Sequence, residues 1–215
     1  MDVLDTLKKD WQKQEDTLPK LTYKEIYSML LKKSSSIVKW IFIISIAELL
    51  LWIFISFLVP DSSKEFNEQM GLKNVFWAIT ILNYAVFAVF MYLFYKNYKN
   101  ISVTSNVKEL MKNILKTRKT VRWFVYYNIA GTALTLLGAN LYFYFNQDKL
   151  QRLLADAHYG YNNISPEQAT TVFFTAQLIV GVVFIGLLML FYYLIYGLLL
   201  KRLKRNYREL KKIEV

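Results

Sequence analysis

Glu48 is the one ionisable side chain in the run WIFIISIAELLLWIFISFLV, residues 40–59. A carboxyl group at the centre of a bilayer costs about 3 kcal/mol on insertion scales when ionised, so it is paired, protonated or put to use. The polar residues placed to meet it are Asn83, Asn128, Thr132 and Thr135, each central in another apolar run. Those runs contain no Lys, Arg or His. The expectation is therefore a neutral Glu48 bonded to Asn83 or to the Thr132 and Thr135 hydroxyls. Two roles stand side by side: specificity of packing, and a carboxyl that handles a proton or a cation.

Other chemistry is sparse. The chain has no cysteine, which excludes disulfides, thiolate catalysis and cysteine-held zinc or iron–sulfur sites. Its one histidine, His158, has no His, Asp or Glu companion at ligand spacing. No HExxH, GxSxG, Walker A or GxGxxG pattern occurs. Asn163-Ile164-Ser165 fits a glycosylation sequon, but Ser165 reads better as a helix cap with Pro166 directly after it. No catalytic residue, metal or cofactor is expected.

The elements that carry these groups are long and apolar. Uncharged stretches cover about 40–59, 74–95, 123–145 and 171–200. Each meets the roughly 20 residues that cross a hydrocarbon core about 30 Å thick. The expected fold is all-α, a four-span bundle over 40–200 with an N-terminal segment 1–39, a loop 96–122 and a tail 201–215. Small and polar residues at Asn128, Gly131, Thr135, Gly138 and Tyr142 form one stripe of the third span. Such stripes let helices approach and hydrogen-bond within a membrane, and Gly131 to Thr135 would permit a homodimer.

Charge gives orientation. The net +11 comes from 27 basic residues, of which eight lie in 1–39, eight in 96–122 and seven in 201–215. Loops 60–73 and 146–167 carry two each. This is the positive-inside bias, and it predicts both termini in the cytoplasm. Lys201, Arg202, Lys204, Arg205 and Arg208 are expected to meet anionic headgroups. The bias accounts for the basicity, so a nucleic-acid partner is not expected. The first apolar run begins too late for a signal-peptide core, so no cleaved leader is expected.

Local signals mark the helices. Thr22 with Glu25, Ser62 with Glu65, and Ser165 with Gln168 are spaced as N-terminal caps, and Asn106 lies three residues before Glu109. Leu150, Leu153 and Leu154 share one side of a short helix in the second outer loop. The final helix has no break that would stop it before the basic tail. KKSSSIVKWIF (32–42) aligns weakly with LKTRKTVRWFV (115–125), an offset of 83 residues that would make two halves pointing the same way. Within 1–16, Leu4, Leu7 and Trp11 fall on one narrow helical face. A helix that short needs a surface to pack on. A cytoplasmic protein partner is the expected surface, with Trp11 as anchor.

LKKDWQKQEDTLPKLTYKEIYSMLLKKSSSIVKWIFIISIAE, residues 7–48, resembles a group of uncharacterised small bacterial inner-membrane proteins with four predicted spans. Their genes tend to lie near those of extracytoplasmic-function sigma factors. The resemblance implies a bacterial inner-membrane location and a regulatory role, and brings no catalytic residues. The expected function is thus a non-enzymatic, membrane-anchored interaction module for a cytoplasmic partner. The alternative is binding or transport of a small solute, ion or lipid in the polar interior around Glu48. Reporter fusions after residues 66 and 156 should read as outside, and those after 110 and 215 as inside; a cytoplasmic signal at 66 or 156 would overturn the four-span topology.

Overall fold

The computed structural model describes residues 22–104, 106–156, 159–161 and 163–213, and over these the protein is all-helical. The order is α1 (Tyr23–Phe57), α2 (Asp61–Met70), α3 (Lys73–Ser102), α4 (Val107–Phe145), α5 (Gln147–Leu154) and α6 (Pro166–Tyr192). A π-turn (Tyr193–Gly197) then leads without a break into α7 (Leu198–Ile213). The expected run of the last helix into the basic tail is met. Leu4, Leu7, Trp11 and His158 lie outside the described residues.

Local sequence explains most of the ends. The Thr22 hydroxyl accepts from the Glu25 N–H while the Glu25 carboxylate accepts from the Thr22 N–H at 2.7 Å, a complete capping box. Those bonds hold the exposed Glu25 carboxyl below its usual range. Asn106 caps α4 through the Glu109 N–H at 2.7 Å, and Ser165 caps α6 with Pro166 in its first turn. The Ser62 box does not form. Pro60 ends the preceding turn and its fixed φ starts α2 at Asp61, so Ser62 is already inside the helix. Gly71, at φ 86°, closes α2 in the left-handed conformation that a side chain would resist.

Among the described residues, three helical rods are long and apolar enough to cross a membrane: Tyr23–Phe57, Lys73–Ser102 and Pro166–Lys212. The expected third span lies in α4, which has the length but is less apolar. Asn128, Thr132, Thr135, Asn140 and four tyrosines dilute its hydropathy between 123 and 145.

The long rods form a ring in which α1 packs on α3, α3 on α4, α4 on α6 and α7, and α7 back on α1. Buried positions recur every seven residues: Ser34, Ile41 and Glu48 on α1; Phe87, Phe94 and Ile101 on α3; Val107, Ile114 and Val121 on α4. That period is the seam of a left-handed bundle. At one end Leu30, Val38, Ile101, Leu110, Ile114, Leu203 and Leu210 make an apolar core inside a basic exterior. At the other, α2 and α5 cap the ring, joined through Met70, Phe143, Leu150 and Phe173. The Met70 carbonyl accepts from the Tyr142 hydroxyl at 2.9 Å and from Lys149 Nζ at 3.0 Å, which ties the cap down.

The two halves share this plan: long helix, short cap helix, long helix. Val38 and Val121, Ile41 and Phe124, and Trp40 and Trp123 occupy matching places at the offset of 83, the first two pairs buried and both tryptophans exposed. A second offset, 109, relates Phe94 to Leu203 and Ile101 to Leu210, all fully buried. It also relates Lys96-Asn97-Tyr98-Lys99 to Arg205-Asn206-Tyr207-Arg208. Both asparagines are buried, and each bonds a hydroxyl of the other half: Asn97 to Thr120 and Asn206 to Ser34, each at 3.1 Å. Removing one member leaves a buried polar group unpaired, which costs about 1–3 kcal/mol. Asn206→Leu should therefore lower thermal stability in detergent, and the added Ser34→Ala should recover part of the loss. Simple additivity of the two would show that they do not act as a pair.

Candidate functional site

Glu48 is 3% exposed and accepts a hydrogen bond on each carboxyl oxygen. Tyr192 Oη donates to Oε1 at 2.5 Å and Tyr196 Oη to Oε2 at 2.8 Å. Trp52, one turn further along α1, packs in the same apolar cluster as the two tyrosines. The expected partners are not the ones used. Asn83 donates to the Ile79 carbonyl and accepts from the Tyr127 hydroxyl at 3.0 Å. Thr135 turns back onto the Gly131 carbonyl and Asn128 onto that of Phe124. Each can satisfy itself on its own helix, so none must reach across the ring to a carboxyl held by better donors.

The π-turn positions the tyrosines. Its i→i+5 bonds widen the helix, so that residues four apart stand more nearly in line than on an α-helix. Tyr192 directly precedes the turn and Tyr196 lies within it, their ring centroids are 5.8 Å apart, and both hydroxyls converge on one carboxyl. Phe124 meets both rings edge-on and packs them against Phe87, Phe94 and Ile41. Two phenols donating to two oxygens suit an ionised carboxylate. The neutral acid can keep the same positions by donating its own proton to one phenol. The site can thus hold or release a proton without moving its heavy atoms.

Above this floor the ring opens. A cavity of about 390 Å³ lies among α1, α3, α4 and α6, with Trp52, Phe87, Phe184 and Tyr192 on its walls. Asn83, Asn128, Thr132 and Thr135 also line it, so the sequence-predicted cluster does come together, around a space and not around Glu48. Within the chain, a Cβ built at Gly131 or Gly138 meets nothing within 4 Å, so neither glycine is a point of close approach between two of its own helices. Gly181 does approach a neighbour, with Leu136 Cδ1 3.7 Å from such a Cβ. A second cavity, of about 430 Å³, sits under the α2–α5 cap. Phe76, Thr135 and Leu136 line both cavities and form the partition between them.

Lys201, Arg202, Lys204, Arg205 and Arg208 lie together along one exposed face of α7, at the far end from the cap. Among the described residues no group of His, Cys, Asp or Glu could hold a metal ion.

Tyr192 and Tyr196 are the site residues that sequence reasoning missed. The signal was the i, i+4 tyrosine pair in YYLIYG, residues 192–197, near the end of an otherwise aliphatic run. Tyr196→Phe should leave one carboxyl oxygen unpaired and lower stability by about 1–3 kcal/mol. In a Glu48→Leu background the same change should cost much less. Equal costs in both backgrounds, read by thermal unfolding in detergent, would dissociate the phenol from the carboxyl.

Neither the curated proteins nor the solved structures contain a significant match to this chain. One family does match, over residues 24–215, which covers the ring, both caps and the Glu48 site but not the first 23 residues. The chain belongs to the family described as Domain of unknown function (DUF8845).

Proposed function

We propose that this is a four-span, non-enzymatic protein of the bacterial inner membrane, with both termini in the cytoplasm, that binds a lipophilic organic cation in its central cavity. The alternation of basic segments supports the orientation. The observation that carries the ligand is a buried carboxyl that accepts from two phenols, one of which, Tyr192, also lines an aromatic-walled cavity, with no ion pair to the carboxyl among the described residues. A carboxylate there takes its countercharge either from a proton or from a cationic ligand. Aromatic faces such as Trp52, Phe184 and Tyr192 attract cations through their ring quadrupoles, the more so when water is excluded.

The chemistry is then an exchange. The neutral acid loses its proton as the cation arrives, and the charge on Glu48 remains balanced in both states. Protonated amines and quaternary ammonium or phosphonium ions with apolar substituents fit a space of about 390 Å³ whose walls are mostly apolar.

Tetraphenylphosphonium is a suitable probe, read by quenching of tryptophan fluorescence or by equilibrium dialysis in detergent. The wild type should bind it more tightly as pH rises, by up to tenfold per unit while the acid is mostly protonated. Glu48→Gln should weaken binding at least tenfold and remove the pH dependence, while retaining the wild-type fold. Comparable binding of neutral triphenylphosphine oxide, or a Glu48→Gln protein that binds the cation unchanged, would defeat the reading.

A further inference from the structure

Where α4 and α7 pack at the basic end, the structure brings arginines together without an acid between them. Arg118 on α4 is partly buried, and its Nε atom is enclosed with no hydrogen-bond partner. Arg122 follows one turn later, its side chain folded back so that Nε donates to the Arg118 carbonyl at 3.4 Å. The final helix α7, which carries Arg208, packs on α4, and the Arg208 charge opposes that of the Arg118 guanidinium. Among the described residues the acids of these two stretches are Glu109 and Glu209. Glu209 faces Arg205 at 3.9 Å, and no ion pair reaches Arg118. Loss of water, and then the charges of Arg122 and Arg208, hold the Arg118 guanidinium below its ordinary range. Placing such groups together is unfavourable unless an anion completes the cluster.

We propose that Arg118, Arg122 and Arg208 form a binding site for the phosphate of an anionic phospholipid. The planar guanidinium fork matches phosphate oxygens in pairs, which lysine cannot reproduce. Position along the helix selects the source of the phosphate. Arg122 directly precedes the exposed Trp123, where α4 turns apolar. Arg118 is four residues further out, roughly 6 Å along the axis at 1.5 Å per residue. That is the depth of the headgroup layer, since a bilayer of about 40–45 Å encloses a hydrocarbon core of about 30 Å. The exposed Leu198, beside Lys201 and Arg202, offers an acyl chain a continuous path from this layer to the apolar face of the final helix. This site is independent of the cation cavity and shares no residue with it.

The test uses the full chain purified in mild detergent, with native mass spectrometry and thermal unfolding as readouts. The wild type should retain a phosphatidylglycerol molecule through delipidation and gain thermal stability when phosphatidylglycerol is added, but not when phosphatidylcholine is. Arg118→Gln with Arg208→Gln should lose the retained lipid and most of that gain. In lipid-free detergent the same double variant should unfold no earlier than wild type, because it removes a repulsion. A control with the same charge change on α1, Lys24→Gln with Lys32→Gln, should keep both effects. Retention of the lipid by the arginine variant, or its equal loss from the control, would overturn the site. Equal stabilisation by inorganic phosphate at millimolar concentration would overturn the assignment to lipid.

Discussion

A carboxyl group placed in hydrocarbon has to be answered by the rest of the chain, and here the answer comes from 144 and 148 residues away. Glu48 sits on the first long helix and its two donors on the last. The bonds between them therefore join the two sequence ends of the ring, as the Asn206–Ser34 bond does nearer the basic end. An unpaired acid at this depth would cost several kcal/mol, comparable with the whole stability of many domains. The edge-on contacts of Phe124, the π-turn and the inward stripe of α1 all serve one geometry, in which two phenols reach one carboxyl.

The two halves show how local that demand is. At matching places the first long helix of each half has Glu48 and Gly131, and the second has Phe87 and Tyr196. One junction has an acid and a phenol; the other has neither the carboxyl nor the hydroxyl. Elsewhere the halves agree, down to a buried asparagine in each that bonds across to its neighbour. The missing side chain at Gly131 leaves space on the α4 side, and the central cavity occupies that side of the ring. Site and cavity are thus two results of the same departure from symmetry.

What the sequence disclosed and what it withheld divide by range. The caps at Thr22, Asn106 and Ser165 are decided by residues three apart, and they form as read. The apolar rods and the inward direction of Glu48 follow from composition and from a seven-residue period. At the start of α2 the cap pattern at Ser62 competes with the fixed φ of Pro60, and the proline prevails. The partners of Glu48 differ from the sequence expectation for another reason. Asn83, Asn128 and Thr135 are polar and central, but each has a carbonyl of its own helix within reach. The tyrosines that do bind it lie near the end of a span, where tyrosine ordinarily marks the bilayer interface. A π-turn leaves no trace in hydropathy.

That turn also fixes which face of the basic end looks inward. Gly181 and Leu188 keep the seven-residue beat of the outer half, and continuing it would bring Ile195, Arg202 and Glu209 to the axis. The interior holds Tyr196, Leu203 and Leu210 instead, one place later in each case. The helix has taken up a single supernumerary residue, like a dislocation in a lattice, and everything beyond it is rotated by about 100°, the angle one residue subtends at 3.6 per turn. By this one step an arginine and a glutamate stay in water and two leucines fill the core. The reading frame of the final helix, more than its composition, decides whether its last four turns belong to the bundle.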